Sequence, residues 1–149
     1  MPNWVSNVVT VEHDNYEKIE EIRKIFESEN PFSSLIAEPD WKNTPDENGE
    51  LPTIEVIESD NFRSEYLTLN GKQDMRWYDR RLDNWGTKWD INGDEVDVLR
   101  LGDASKLLLV FDTAWSFPDP IYRHLAQLGY KLTIEWEDDC MGERGKYSY

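Results

Sequence analysis

Carboxylates are the side chains of this sequence best supplied for chemistry. Asp90 and Asp112, with acids near them, could hold a divalent cation for metal-assisted hydrolysis. Glu135, Glu137, Asp138 and Asp139 form a second acidic run, oxygen-rich in the way calcium and magnesium sites are. The preferred reading of that run is a strand face dressed with charge against aggregation. Asp90-Ile91-Asn92-Gly93-Asp94 looks like a calcium loop but lacks the EF-hand register and its closing glutamate. It reads better as a hairpin turn, because Asn-Gly is a strong hairpin signal. The two histidines, His13 and His124, lie far apart, and Cys140 is the one cysteine. A lone thiol in an acidic tail makes no disulfide and no cysteine-based metal site. No serine or cysteine nucleophile motif is present. The expectation is therefore no catalytic residue, no metal and no cofactor.

The charge balance bounds the function further. Thirty-one acidic residues against 16 basic ones give a net charge of -15. That argues against direct DNA binding, which depends on lysine and arginine neutralising phosphates. It favours a partner protein with a basic surface, or simple solubility through self-repulsion. The longest apolar run, Leu107 to Phe111, is far too short to cross a membrane. The opening Met1-Pro2-Asn3-Trp4 does not resemble a signal peptide, so the cytoplasm is the expected location. The 149 residues suffice for one domain, and seven Trp, seven Tyr and five Phe supply its core. Nothing in the sequence sets an oligomeric state.

Periodicity predicts the elements that must carry these residues. Asn3 to Glu12 reads as an interior strand, apolar on both faces. Asp14 to Glu27 reads as a helix capped by Asp14, with Ile19, Ile22, Ile25 and Phe26 as its apolar stripe. Residues 31 to 53 are irregular and punctuated by prolines. Thr53 to Glu58 and Phe62 to Leu69 can pair around Asp60-Asn61, and Lys72 to Leu82 suits a short helix. Trp85, Thr87, Trp89 and Ile91 alternate as a strand does, Asn92-Gly93 turns, and Glu95 to Leu101 returns. Gly102 to Ser105 turns again, and Lys106 to Thr113 reads as a buried central strand. A second helix follows, capped by Ser116, stripped with Ile121, Leu125 and Leu128, and stopped by Gly129. Tyr130 to Glu137 is the last strand, and residues 138–149 are expected as a loosely held polar tail. The expected fold is α+β: a ferredoxin-like βαββαβ antiparallel sheet with two helices on one face. It is read as one domain over 1–149, with an insertion at about 31–83 after the first helix.

Asn84-Trp85-Gly86-Thr87-Lys88-Trp89-Asp90 is the most distinctive block. With the opening Met1-Pro2-Asn3-Trp4, Asn7, Trp77-Tyr78 and Thr113-Ala114-Trp115-Ser116, it resembles the YubB-type ferredoxin-like domain family of phages and plasmids. The likeness covers both ends and the middle of the chain but not residues 31–70. Val5 stands where the family often has cysteine, and Arg80 where it often has tryptophan. The resemblance implies the fold and a phage or mobile-element setting, without an activity. On residue type, Trp4, Asn84, Trp85, Gly86, Lys88, Trp89, Asp90, Asp112 and Trp115 are expected to be mostly structural. Trp85 and Trp89 would pack in the core, Gly86 would let a neighbouring backbone approach, and Lys88 would pair with Asp112.

The preferred functional expectation is a non-enzymatic accessory protein. Its acidic surface would bind a basic host or defence protein, as an inhibitor or a mimic of nucleic acid. Glu135, Glu137, Asp138, Asp139, Trp41, Asp46 and Glu47 are the candidate contact residues. One alternative is a nucleotide or single-stranded RNA module stacking bases on Trp85, Trp89 and Trp136. The other is the metal-dependent hydrolase of Asp90 and Asp112.

Overall fold

The computed structural model describes residues 2–102 and 105–149. Met1 of the opening stretch, and residues 103 and 104 of the turn expected at Gly102 to Ser105, lie outside them. The chain divides into two compact units, Met1–Ala37 with Arg81–Tyr149, and Glu38–Arg80.

In the first unit, strand β1 (Trp4–Glu12) buries Val5, Val9 and Val11 on one face with Asn7 among them. Its other face carries Ser6, Val8 and Thr10, all half-buried. The later strands of this unit are β5 (Asp97–Leu101), β6 (Lys106–Ala114), β7 (Lys131–Asp138) and β8 (Arg144–Ser148). They form one antiparallel sheet with β1 in the middle, in the order β5-β6-β1-β7-β8. Helix α1 (Tyr16–Phe26) contributes Ile19, Ile22 and Phe26 to the core, and α4 (Asp119–Gln127) contributes Ile121, Tyr122 and Leu125. Both pack with Val9, Val11, Leu107, Leu109, Leu132 and Ile134. Each such buried side chain is worth roughly 1.5–3 kcal/mol. Helix α2 (Pro31–Leu35) adds Phe32, whose ring lies 6.1 Å from Phe111 and 6.2 Å from Trp85.

The second unit holds a three-stranded antiparallel sheet of β2 (Thr53–Ser59), β3 (Phe62–Leu69) and β4 (Lys72–Gln73). The hairpin expected around Asp60-Asn61 is there, with Ser59 opposite Phe62. Helix α3 (Arg76–Asn84) begins in this unit and ends in the first. Arg76 organises the loop before β2. Its guanidinium bonds the Asp74 carboxylate and the carbonyls of Thr44 and Pro45, and lies 5.1 Å from the Trp41 ring centroid. The hydrogen bonds from Arg76 hold the buried Asp74 carboxyl below its ordinary pKa.

The α+β class stands, but the single βαββαβ sheet does not. Among the described residues there are eight strands in two antiparallel sheets, with four helices. The excursion carries a sheet of its own, and the C-terminal residues add β8 to the first sheet. The polar tail is therefore not loose: Glu135 pairs with Lys146 in register, and Leu132 and Tyr149 exchange backbone hydrogen bonds. Trp85 to Ile91 is not a strand either. Trp85 Nε1 donates to Ile36 O (2.9 Å) and Thr87 Oγ1 to Ala114 O (2.8 Å), so side-chain bonds anchor this segment without a ladder. Asn92-Gly93 opens a 3-10 turn rather than a hairpin. A Cβ at Gly93 would stand 2.2 Å from Ser28 O, so close backbone approach explains the glycine. The caps shift as well: Asn15 replaces Asp14 at α1, accepting from Glu17 N–H, and Pro118 precedes α4 in place of Ser116.

One polar network crosses the core. Tyr122 Oη donates to Asn7 Oδ1 (2.7 Å), Asn7 Nδ2 to Thr113 Oγ1 (3.0 Å), and Thr113 Oγ1 to Ser116 O (2.7 Å). Burial pushes the Tyr122 hydroxyl well above its ordinary pKa, so it stays a donor. Tyr122→Phe removes that hydroxyl and leaves the buried Asn7 oxygen unpartnered. The expected loss is about 1–3 kcal/mol. Urea unfolding checks it, and an unchanged midpoint would show that the bond contributes nothing.

Candidate functional site

The Asn84–Asp90 block divides into an anchored part and an exposed part. Trp85 is buried in the core. Gly86, with φ of 79°, lies against the start of α4, where a Cβ would stand 2.6 Å from Pro120 Cδ. Ser116 Oγ donates to the Gly86 carbonyl. The Asp90 carboxylate accepts from the backbone N–H groups of Phe32 (2.8 Å) and Ser33 (2.9 Å) and from the Ser33 hydroxyl. Asp90 thereby satisfies the otherwise unpaired amides at the start of α2. It is a folding residue, and its oxygens are spent.

Trp89 is the exposed part, with half-buried Lys88 beside it. Trp89 is 38% exposed and not in the core as expected. Its ring lies 6.1 Å from that of Trp4, and Lys88 Nζ sits 4.9 Å from the Trp89 centroid. The expected Lys88–Asp112 pair is thus replaced by a cation–π contact. Trp115 is also exposed, and its φ of 70° is left-handed, costly for a bulky residue. Its N–H donates to Asn3 O (2.8 Å), which sets this indole at the same end of the sheet as Trp4.

Next to these indoles, the sheet face turned away from α1 and α4 carries acids on β6 and β7 and bases on β8. Register places Asp112, Ser6, Glu137 and Arg144 in one row across β6, β1, β7 and β8. The next row runs Val110, Val8, Glu135 and Lys146, where Lys146 and Glu135 pair at 3.7 Å. An open groove of about 430 Å³ follows both rows, lined by Ser6, Val8, Glu135, Glu137, Arg144 and Lys146. A smaller cleft of about 140 Å³ lies between Trp4, Ile91, Glu95, Phe111 and Asp112. Partial desolvation by its neighbours raises the carboxyl of surface-exposed Asp112 above its ordinary pKa, and Asp139 and Glu95 raise it further. Among the described residues Glu95, Asp112, Glu137 and Asp139 form no ion pair, nor do three His, Cys, Asp or Glu come close enough to hold a metal.

The remaining expected contact residues have local duties. Asp138 Oδ1 accepts from the N–H groups of Cys140 and Met141, closing the β7–β8 turn. Asp46 Oδ1 caps a turn in the second unit through Asn48 and Glu50, Trp41 lies under Arg76, and Glu47 is exposed. The three indoles expected to stack bases do not share a surface. Trp85 is buried, and Trp136 stacks on Phe117 at 5.3 Å on the helix side of the sheet. Glu95, Ser6, Arg144 and Lys146 were not expected here. The alternation Arg144, Lys146, Ser148 against Gly145, Tyr147 was the sequence signal for β8.

No family model matches the chain, and no curated protein and no solved structure is similar to it. No helix among the described residues is long and apolar enough to cross a membrane.

The raised pKa of Asp112 has a definite sign. The folded chain holds this proton more tightly than the unfolded chain does. The resulting stabilisation is complete below the unfolded value near 3.9 and is lost as pH rises through the folded value. Asp112→Asn is therefore expected to raise the melting temperature at pH 7, with the gain shrinking towards pH 3.5. Melting curves across that range check it, and a pH-independent difference would remove the electrostatic cause.

Proposed function

We propose that this is a non-enzymatic binding protein that takes a basic partner protein on the acidic open face of its five-stranded sheet. The observation that carries the reading is the gathering of carboxylates on and beside β6 and β7: Glu95 and Asp112 line one cleft, and Glu137 stands one strand beyond Ser6 from Asp112. Such crowding opposes folding, and a cationic partner relieves it. Glu135 and Glu137 stand two residues apart on one face, about 7 Å by strand geometry. A row of carboxylates at that pitch resembles a phosphate track. The partner is then a protein whose basic groove ordinarily holds nucleic acid, and the effect of binding is inhibition by mimicry. Trp4, Trp89 and Trp115 border the acidic rows and supply apolar contact area. The resemblance of the Asn84–Asp90 block to YubB-type proteins supports a phage or mobile-element accessory acting in the host cytoplasm on a host or defence protein.

A variant with Glu95→Gln, Asp112→Asn, Glu137→Gln and Asp139→Asn tests the reading. All four residues lie on the surface or at its edge, so the fold should survive. Wild type and variant are used as paired baits in host lysate, with captured proteins identified by mass spectrometry. A basic protein held by wild type, released by salt, and bound roughly tenfold or more weakly by the variant is the expected result. Capture of the same proteins by both baits removes the acidic-face reading.

A further inference from the structure

Strand β2 (Thr53–Ser59) is the outer strand of the second unit's sheet, pairing with β3 alone. All seven of its residues are exposed. That is unusual for a strand of sequence Thr-Ile-Glu-Val-Ile-Glu-Ser, whose Ile54, Val56 and Ile57 are each close to half exposed or more. Proteins normally blunt such edges with charged side chains, lysine above all, or with proline, bulges or a covering loop, and here the charges present are those of Glu55 and Glu58. This one carries no proline and no lysine.

We infer that β2 is a docking edge that takes an extended, positively charged segment of another protein as an added strand. The free edge offers unpaired backbone N–H and C=O groups to a fourth strand. Its side chains specify what that strand contains. Ile54, Val56 and Glu58 lie on one face, and Glu55 and Ile57 on the other. An incoming strand must therefore set Lys or Arg against Glu55 and Glu58 and apolar residues against the rest.

Self-pairing fits poorly. An antiparallel copy centred on Glu55 sets that carboxylate against itself. A copy centred on Val56 sets Glu58 against Ile54 and Glu55 against Ile57, and one centred on Ile57 sets Glu58 against Val56. The net charge of -15 adds repulsion between copies. A cationic strand meets neither obstacle. This edge belongs to the second unit, and neither proposal depends on the other.

The probe is a synthetic peptide whose lysines stand three residues apart among valines, as Glu55 and Glu58 do in β2, with a peptide carrying Glu at those positions as its counterpart. Fluorescence anisotropy measures binding, and hydrogen exchange locates it. The expected result is binding of the lysine peptide alone, with added protection of β2 amides. Glu55→Lys with Glu58→Lys, both on exposed positions, should weaken it by roughly tenfold or more. Val56→Pro should abolish the protection by breaking the strand edge. Three outcomes overturn the inference: no binding of the lysine peptide, protection confined to the five-stranded sheet, or affinity unchanged in the Glu55→Lys, Glu58→Lys variant. Sedimentation as a dimer that Val56→Lys splits would overturn it in favour of self-pairing.

Discussion

The first unit depends on satisfying one buried amide. Asn7 stands in the middle strand, between positions occupied by Val5 and Val9, fully buried from solvent. A buried amide without partners costs several times what a hydrogen bond contributes. Three separate elements must therefore arrive in register. Helix α4 supplies the Tyr122 hydroxyl, β6 supplies Thr113, and the turn after β6 receives the Thr113 proton at Ser116. Ser116 then binds Gly86, and Thr87 binds Ala114, which joins the Asn84–Asp90 segment to the same chain of bonds. Apolar burial provides the bulk of the stability, while this chain of bonds selects one arrangement among those that burial would tolerate.

That selection explains why the motif residues serve unlike purposes. Trp85, Gly86, Thr87 and Asp90 bind the segment to α2, α4 and β6. Between those anchors, Trp89 is exposed and Lys88 lies against its ring. The left-handed backbone at Trp115 is part of the same junction, and its N–H donates to Asn3 O. Strain at the end of β6 is the consequence of closing a polar network with a bulky residue next in line.

Strands and helices with strong period were legible: β1, β6, α1, α4 and the β2–β3 hairpin follow from apolar spacing. The segment at Trp85 to Ile91 misled because alternation of buried residues marks a chain passing over a core end as well as a strand. Asn92-Gly93 misled for a related reason. Its glycine answers to Ser28, more than sixty residues earlier, and local turn rules carry no such information. The acidic rows were half legible. Glu135 and Glu137 alternate visibly along one strand, whereas Asp112, Ser6 and Glu95 join them only through register across the sheet. The Lys88–Asp112 pair failed on the same ground, since the nearest suitable partner for Lys88 was the ring beside it.

The position of β1 also has a consequence in time. Both of its neighbours, β6 and β7, lie about a hundred residues or more downstream of it, as the 104-residue separation of Asn7 and Phe111 shows. A ribosome adding about 5–20 residues per second leaves this valine-rich strand unaccompanied for roughly 5–20 s. Helix α1 can form meanwhile from local contacts, but the sheet cannot begin at its own centre. Folding is then governed by a late, long-range closure and should be slow for a chain of this size. During that interval a nascent chain exposes an unpaired, valine-rich strand, and the surplus of negative charge keeps such chains apart.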